Sequence, residues 1–160
     1  MNKKKLLKVI EEAKNVIEWH DEDGDKAGYY SFTMEAISSK NPVYNMLSDY
    51  LYNRNDISTK YKYTMLGDAL SDIDEMIDGV DEDFNVDDLD DEISSRADSN
   101  TPVYNSEILD FISNNPYAVD EAINEMGKGE SIINDGMSAY YLKYSEFLRD
   151  ILGLLVEYSE

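Results

Sequence analysis

Apolar side chains recur along most of this chain at three- and four-residue intervals. Over residues 3–19, Leu6, Leu7, Val9, Ile10, Ala13, Val16, Ile17 and Trp19 fall on one stripe, which predicts an amphipathic helix. Residues 20–28, with two glycines among acids, predict a loop, and a short helix is expected around residues 30–39. Pro42 suits the first turn of a helix carrying Val43, Met46, Leu47, Tyr50 and Leu51. Ser58 is a candidate cap for the next helix, which would bury Tyr61, Met65, Ala69, Leu70, Ile73, Met76 and Ile77 and stop at Gly79. Residues 80–91 are nearly all acidic and fit either loop or helix. Pro102 is expected to open a helix with Val103, Ile108, Phe111 and Ile112. Pro116 opens another that ends at Gly127, and a long final helix should run over about residues 135–158. No two-residue alternation bounded by hairpin turns stands out. The expectation is therefore an all-α fold, one compact domain over residues 1–160 with a long C-terminal helix.

A worn internal duplication is visible. Ile37-Ser38-Ser39-Lys40 matches Ile93-Ser94-Ser95-Arg96, and Pro42-Val43-Tyr44-Asn45 matches Pro102-Val103-Tyr104-Asn105. The pattern predicts two weakly related helical halves, about residues 35–79 and 90–129. In the final helix, Tyr140, Tyr144, Phe147, Leu148, Ile151, Leu152 and Leu155 form a stripe, with Tyr141, Leu154 and Val156 beside it. That width fits either a homodimer seam or a helix buried inside one chain.

Charge changes the picture most. The net charge is −21, and it is not evenly spread. Residues 1–62 carry ten basic and ten acidic side chains, whereas residues 63–160 carry four basic and 25 acidic ones. Such a surface repels nucleic acid and anionic lipid and attracts basic proteins. The hydrophobic share of 42% and the 13 tyrosines exclude a disordered chain. With no cysteine, disulfides, thiolate catalysis and cysteine-held metals are excluded, and a reducing compartment, the cytoplasm, is expected. The lysines at positions 3–5 resemble a signal-peptide start, but the apolar run after them is short and broken by Lys8, Glu11 and Glu12. No segment is apolar enough to span a membrane.

Candidate chemistry is sparse. The one histidine, His20, lies beside Asp21, Glu22 and Asp23 without a neighbouring nucleophile, and no phosphate loop, nucleophile elbow or zinc helix occurs. The expectation is no enzyme and no cofactor. Asp81, Asp83, Asn85, Asp87 and Glu92 match a calcium-loop frame, but Val86 stands where the sharp turn needs glycine. The second acidic cluster, Asp21, Asp23 and Asp25, has Gly24 misplaced and no closing glutamate. No specific metal site is expected.

The acidic run itself is the stronger lead. Thirteen acids and no Lys or Arg occupy residues 68–92. Asp68, Asp72 and Glu75 share one helical face, where like charges repel by a few tenths of a kcal/mol per pair. Stability alone would intersperse lysines, so the row points either to selection for negative potential or to a solvated face. Helical neighbours lie roughly 5–6 Å apart, comparable to backbone phosphates spaced about 3.4 Å along each strand and twisting around the axis. Asp68, Asp72, Asp74, Glu75, Asp78, Asp81, Glu82, Asp83, Asp87, Asp88, Asp90 and Asp91 are the candidate phosphate-mimicking residues.

Within this region, Asp90-Asp91-Glu92-Ile93, Ala97-Asp98, Pro102-Val103-Tyr104 and Glu107-Ile108 resemble a segment of the phage Ocr (overcome classical restriction) DNA-mimic family. The resemblance covers roughly 20 residues. It implies a phage or mobile-element inhibitor of a host DNA-binding defence protein, usually dimeric and without catalytic residues. The chain departs from that family in its longer N-terminal part, its basic start and its lack of a polyacidic tail, which leaves the target open between restriction enzyme and CRISPR nuclease. The expected function is stoichiometric inhibition of a basic DNA-binding protein in the host cytoplasm, with no direct contact to nucleic acid or membrane. The alternatives are an acidic protein-protein adaptor or inhibitor that does not imitate DNA and a calcium-responsive module.

Overall fold

The computed structural model describes residues 2–21 and 28–160. Among them are eight α-helices and one two-stranded antiparallel sheet. In chain order these are α1 (Lys3–Asn15), β1 (Ile17–His20), β2 (Tyr29–Phe32), α2 (Met34–Ser39), α3 (Pro42–Asn53), α4 (Thr59–Asp78), a 3-10 turn (Val86–Leu89), α5 (Asp90–Asn100), α6 (Asn105–Asn114), α7 (Pro116–Met126) and α8 (Ile132–Ser159). The fold is all-helical apart from the hairpin, and no described helix is long and apolar enough to cross a membrane.

The hairpin is the main departure from the sequence pattern. The first helix stops at Asn15 instead of running to residue 19, and β2 takes the start of what read as a helix. Ile17 faces Phe32, Trp19 faces Tyr30 and His20 faces Tyr29. The Trp19 and Tyr30 rings meet edge-on at 4.7 Å, and His20 stacks on Tyr29 at 4.8 Å. Cross-strand aromatic pairs of this kind stabilise a strand pair by about 0.2–1 kcal/mol each. Four residues on each side are too few for a period of 2 to stand out from one of 3.6. The pairing strand also begins only after eight intervening residues, beyond the reach of a short hairpin turn. Most of the loop expected over residues 20–28, including Glu22, Asp23, Gly24 and Asp25, lies outside the described residues.

The other boundaries follow local chemistry. Asn2, Thr33, Asn41 and Ser131 accept backbone N–H bonds at the starts of α1, α2, α3 and α8. Pro42 and Pro116 sit in the first turns of α3 and α7, α4 ends at Gly79, and α7 ends at Gly127. Ser58 precedes α4 but makes no side-chain cap, and its backbone N–H donates instead to Asn115 Oδ1 at 2.7 Å. Pro102 does not open a helix, because α6 starts three residues later at Asn105. Val43 is fully buried whereas Val103 is 74% exposed, so the two matching Pro-Val-Tyr-Asn words are used differently.

The long helix α8 is the axis of the core and packs against α1, α4, α5, α6 and α7. Tyr144, Phe147, Leu148, Ile151, Leu152 and Leu155 are each 0% exposed. The stripe that suggested a dimer seam is therefore covered by the chain's own helices. Its width reflects a helix enclosed on several sides rather than one face left for a partner. The hairpin docks on α4 at Gly67, where an added Cβ would stand 2.5 Å from the Tyr30 ring. Only glycine lets the ring lie that close to the helix backbone.

Candidate partner-binding surface

Helix α4 carries the first half of the acidic run, and its packing divides that half. Asp68 and Asp72 turn into the seam with α8 and do not belong to an outer array. Asp72 accepts hydrogen bonds from Tyr144 Oη, from Asn100 Nδ2 at 2.8 Å and from Arg96 Nη1 at 3.3 Å. Burial and then the Asp72 charge push the Asp68 carboxyl up to about 6. The inward turn follows from helical spacing, since Tyr61, Met65, Asp68 and Asp72 recur every three or four residues on a helix whose apolar side meets α8.

The rest of the α4 row is not uncompensated, because the fold brings bases from elsewhere. Lys14 on α1 pairs with Asp74 at 2.8 Å. Arg96 on α5 reaches Glu75 at 2.5 Å and Glu92 at 3.3 Å. Lys3 donates to the carbonyls of Asp78 (3.1 Å) and Val80 (2.6 Å), placing a cation at the negative end of α4.

Beyond α4 the acids are presented outward. Asp78, Asp81, Glu82, Asp83, Asp87, Asp88 and Asp91 are all exposed. Among the described residues, no Lys or Arg lies within ion-pair distance of them. Asp90 has Arg149 at 3.5 Å, both largely exposed, a pairing worth little in water. The segment between α4 and α5 is nevertheless pinned. Leu89 is buried, Phe84 and Val86 pack partly against the core, and Asn85 Oδ1 accepts the Asp87 N–H at 3.1 Å. Apolar residues inward and carboxylates outward give a fixed acidic ridge rather than a loose tail. Asp90 and Asp91 also lie in the first turn of α5, where the helix dipole favours anions.

The remaining candidates resolve as follows. Glu92, the closing residue of the calcium-loop frame, is paired with Arg96. Among the described residues no group of three or more His, Asp or Glu side chains is disposed to hold a metal ion. His20 is a strand residue, the last of β1, and not part of a loop. Its Nε2 lies 2.8 Å from Ser31 Oγ and 3.4 Å from Glu18 Oε1. Both partners meet the same ring nitrogen, so the trio lacks a relay in which the acid orients the opposite nitrogen.

Two features escaped the sequence reading. One is an ion network at the α3–α4 connection. Lys143, 1% exposed, binds Asp56 at 2.6 Å and also Glu121, while Arg54 binds Asp56 at 2.9 Å and Glu146 at 2.7 Å. The other is a cleft of about 430 Å³ between the hairpin, α4, α6 and α8, walled by Trp19, Tyr61, Tyr140 and Pro102. No spacing in the sequence signals either, because each joins segments from distant parts of the chain. No protein-family model, curated protein or solved structure matches this chain.

Proposed function

We propose that the protein is a stoichiometric, DNA-imitating inhibitor that occupies the basic channel of a DNA-engaging host protein, a restriction enzyme or a CRISPR nuclease, in the cytoplasm. The supporting observation is the ridge at residues 78–91, where seven exposed carboxylates, without an ion-pair partner among the described residues, flank or stand on a segment held by Phe84, Val86 and Leu89. A DNA-binding groove is built to meet closely spaced anions, and backbone charge supplies most of its nonspecific affinity. Anions already held in place cost the complex less ordering entropy than a disordered acidic tail would. Helix α4 contributes less than its sequence implied, since Asp68 and Asp72 are drawn inward and Asp74 and Glu75 are paired.

The test is competition. The DNA-binding activity of a candidate restriction enzyme or CRISPR nuclease is titrated with wild type, with Asp81→Asn, Asp83→Asn, Asp87→Asn and Asp88→Asn combined, and with Glu11→Gln, Glu12→Gln, Glu18→Gln and Glu35→Gln combined. Wild type and the second variant should displace DNA, and the first should lose most of that effect. A target that holds DNA and this protein together removes the mimicry reading and leaves the adaptor in its place.

A further inference from the structure

The cleft beside the hairpin has the composition of a seat for a cation. Trp19, half exposed, forms one wall. Its indole N–H donates to Asp21 at 2.6 Å, and Gly28 packs so closely that an added Cβ would stand 2.2 Å from the ring. Tyr61 and Tyr140, both largely buried, also line it, with ring centroids 6.4 Å apart at 83°. Aromatic faces attract cations through their quadrupoles, guanidinium planes above all.

The cleft also carries negative charge. Glu107 and Asp110, one turn apart on α6, line it. Asp110 accepts the Tyr61 hydroxyl at 2.5 Å. Glu107 is exposed and has no basic partner among the described residues, yet it lies near enough to Tyr61 and Tyr140 to help raise both phenols, after burial and other charges. The chain's own Lys60 samples part of this seat. Its Nζ lies 3.1 Å from Asp110 and 5.4 Å from the centroid of the Tyr61 ring. Lys60 lines the cleft but is largely exposed, so an incoming arginine competes with it for Asp110.

We infer that this cleft receives an arginine side chain of a protein partner, stacked on the half-exposed Trp19 and bound by Glu107 and Asp110. The inference rests on the charge-mimicry reading for the partner's identity, since a DNA-binding groove presents arginines. It adds a discrete anchor at the Thr59 end of α4, about 25 Å along that helix from the acidic ridge that follows its Asp78 end. Anchors of this kind concentrate binding energy at aromatic and arginine positions.

Trp19 is the only tryptophan in the chain, so its fluorescence reports on the cleft directly. Blocked tripeptides Gly-Arg-Gly, Gly-Lys-Gly and Gly-citrulline-Gly are titrated against the full chain at low salt. The arginine peptide should give a saturable change, the lysine peptide should bind several-fold more weakly, and the citrulline peptide, which keeps the shape without the charge, should bind roughly tenfold more weakly or not at all. Glu107→Gln, at an exposed position, should weaken the arginine response with the circular dichroism unchanged. Lys60→Met should strengthen it by removing the internal competitor for Asp110. Equal responses to arginine and citrulline, or a response indifferent to Glu107→Gln and Lys60→Met, overturns the inference. The assay contains neither DNA nor target. An inert cleft therefore leaves the DNA competition result standing, and a failed competition leaves peptide binding standing.

Discussion

Tyr144, in the middle of α8, donates its phenolic hydrogen to Asp72, in the middle of α4. Burial, followed by that bond, pushes the Tyr144 phenol far above its usual range, so it remains a donor throughout ordinary pH. A carboxylate that reads in sequence as part of an acidic display is thus the polar joint between the two longest helices. Asp72→Ala would strand Tyr144 Oη in the core and detach Arg96 and Asn100. It should lower the unfolding free energy by about 2–3 kcal/mol. The combined Asp81, Asp83, Asp87 and Asp88 to Asn variant should match or exceed wild-type stability, because it only relieves repulsion. Urea denaturation of the two variants checks this. A neutral Asp72→Ala would show that the joint contributes nothing.

Asp68 should behave in the opposite sense. Its folded carboxyl titrates at about 6 against 3.8 when unfolded. The folded state therefore binds the proton more tightly, and ionising Asp68 destabilises it. That cost is absent below about pH 4, grows as pH rises towards 6, and is complete above it. Asp68→Asn should stabilise the protein by on the order of 1–2 kcal/mol at pH 7.5, after allowance for partial solvent access. The advantage should vanish near pH 3.5. Denaturation midpoints of the pair across that range give the answer, and a pH-independent difference would rule out the titration.

The Lys143 network gives the reverse pH dependence. Burial opposes ionisation of Asp56, but hydrogen bonds from Arg54 and Lys143 and their charges prevail and hold the carboxyl down at about 2. Its contribution to stability is present above the unfolded value near 4 and is lost as pH falls towards 2. The stability difference between wild type and Asp56→Asn should shrink across that window. Lys143→Met should cost about 3–5 kcal/mol at neutral pH, because Glu121 and Asp56 lose a buried counter-charge. A Lys143→Met protein as stable as wild type would show that the network is replaceable by apolar packing.

Ile151 and Leu155 are both fully enclosed by the chain's own helices. Replacing them together by Lys should abolish cooperative folding rather than release a folded monomer, since each buried ammonium lacks a counter-ion. Circular dichroism and sedimentation distinguish the outcomes. A well-folded double variant would mean that this stretch of α8 is an intermolecular face.

The helical pattern was legible because it is local. Caps, first-turn prolines and terminal glycines act within one or two turns, so Pro42, Gly79, Pro116 and Gly127 mark the ends of α3, α4 and α7 in sequence and structure alike. The hairpin was hidden because Trp19 and Tyr30 gain their stability from each other and from α4 at Gly67, contacts that join residues far apart in the sequence. Pro102 misled because a proline marks where a helix can begin, while the helix itself waited for Asn105.

The acidic display shows the same division. The sequence alone determined that the excess charge lies after residue 62 and that residues 68–92 contain no base. It also determined that α4 and α8 each carry a continuous apolar stripe. Which carboxylates face water was settled only by packing. Lys14, Arg96 and Lys3 reach the α4 row from other helices, Asp68 and Asp72 fall on the side that α8 covers, and Phe84, Val86 and Leu89 turn the following acids outward. Periodicity reports which residues share a face, but the number of faces a helix buries depends on how many neighbours enclose it. For α8 that number is large enough to use up the whole stripe, and no count along the chain reveals it.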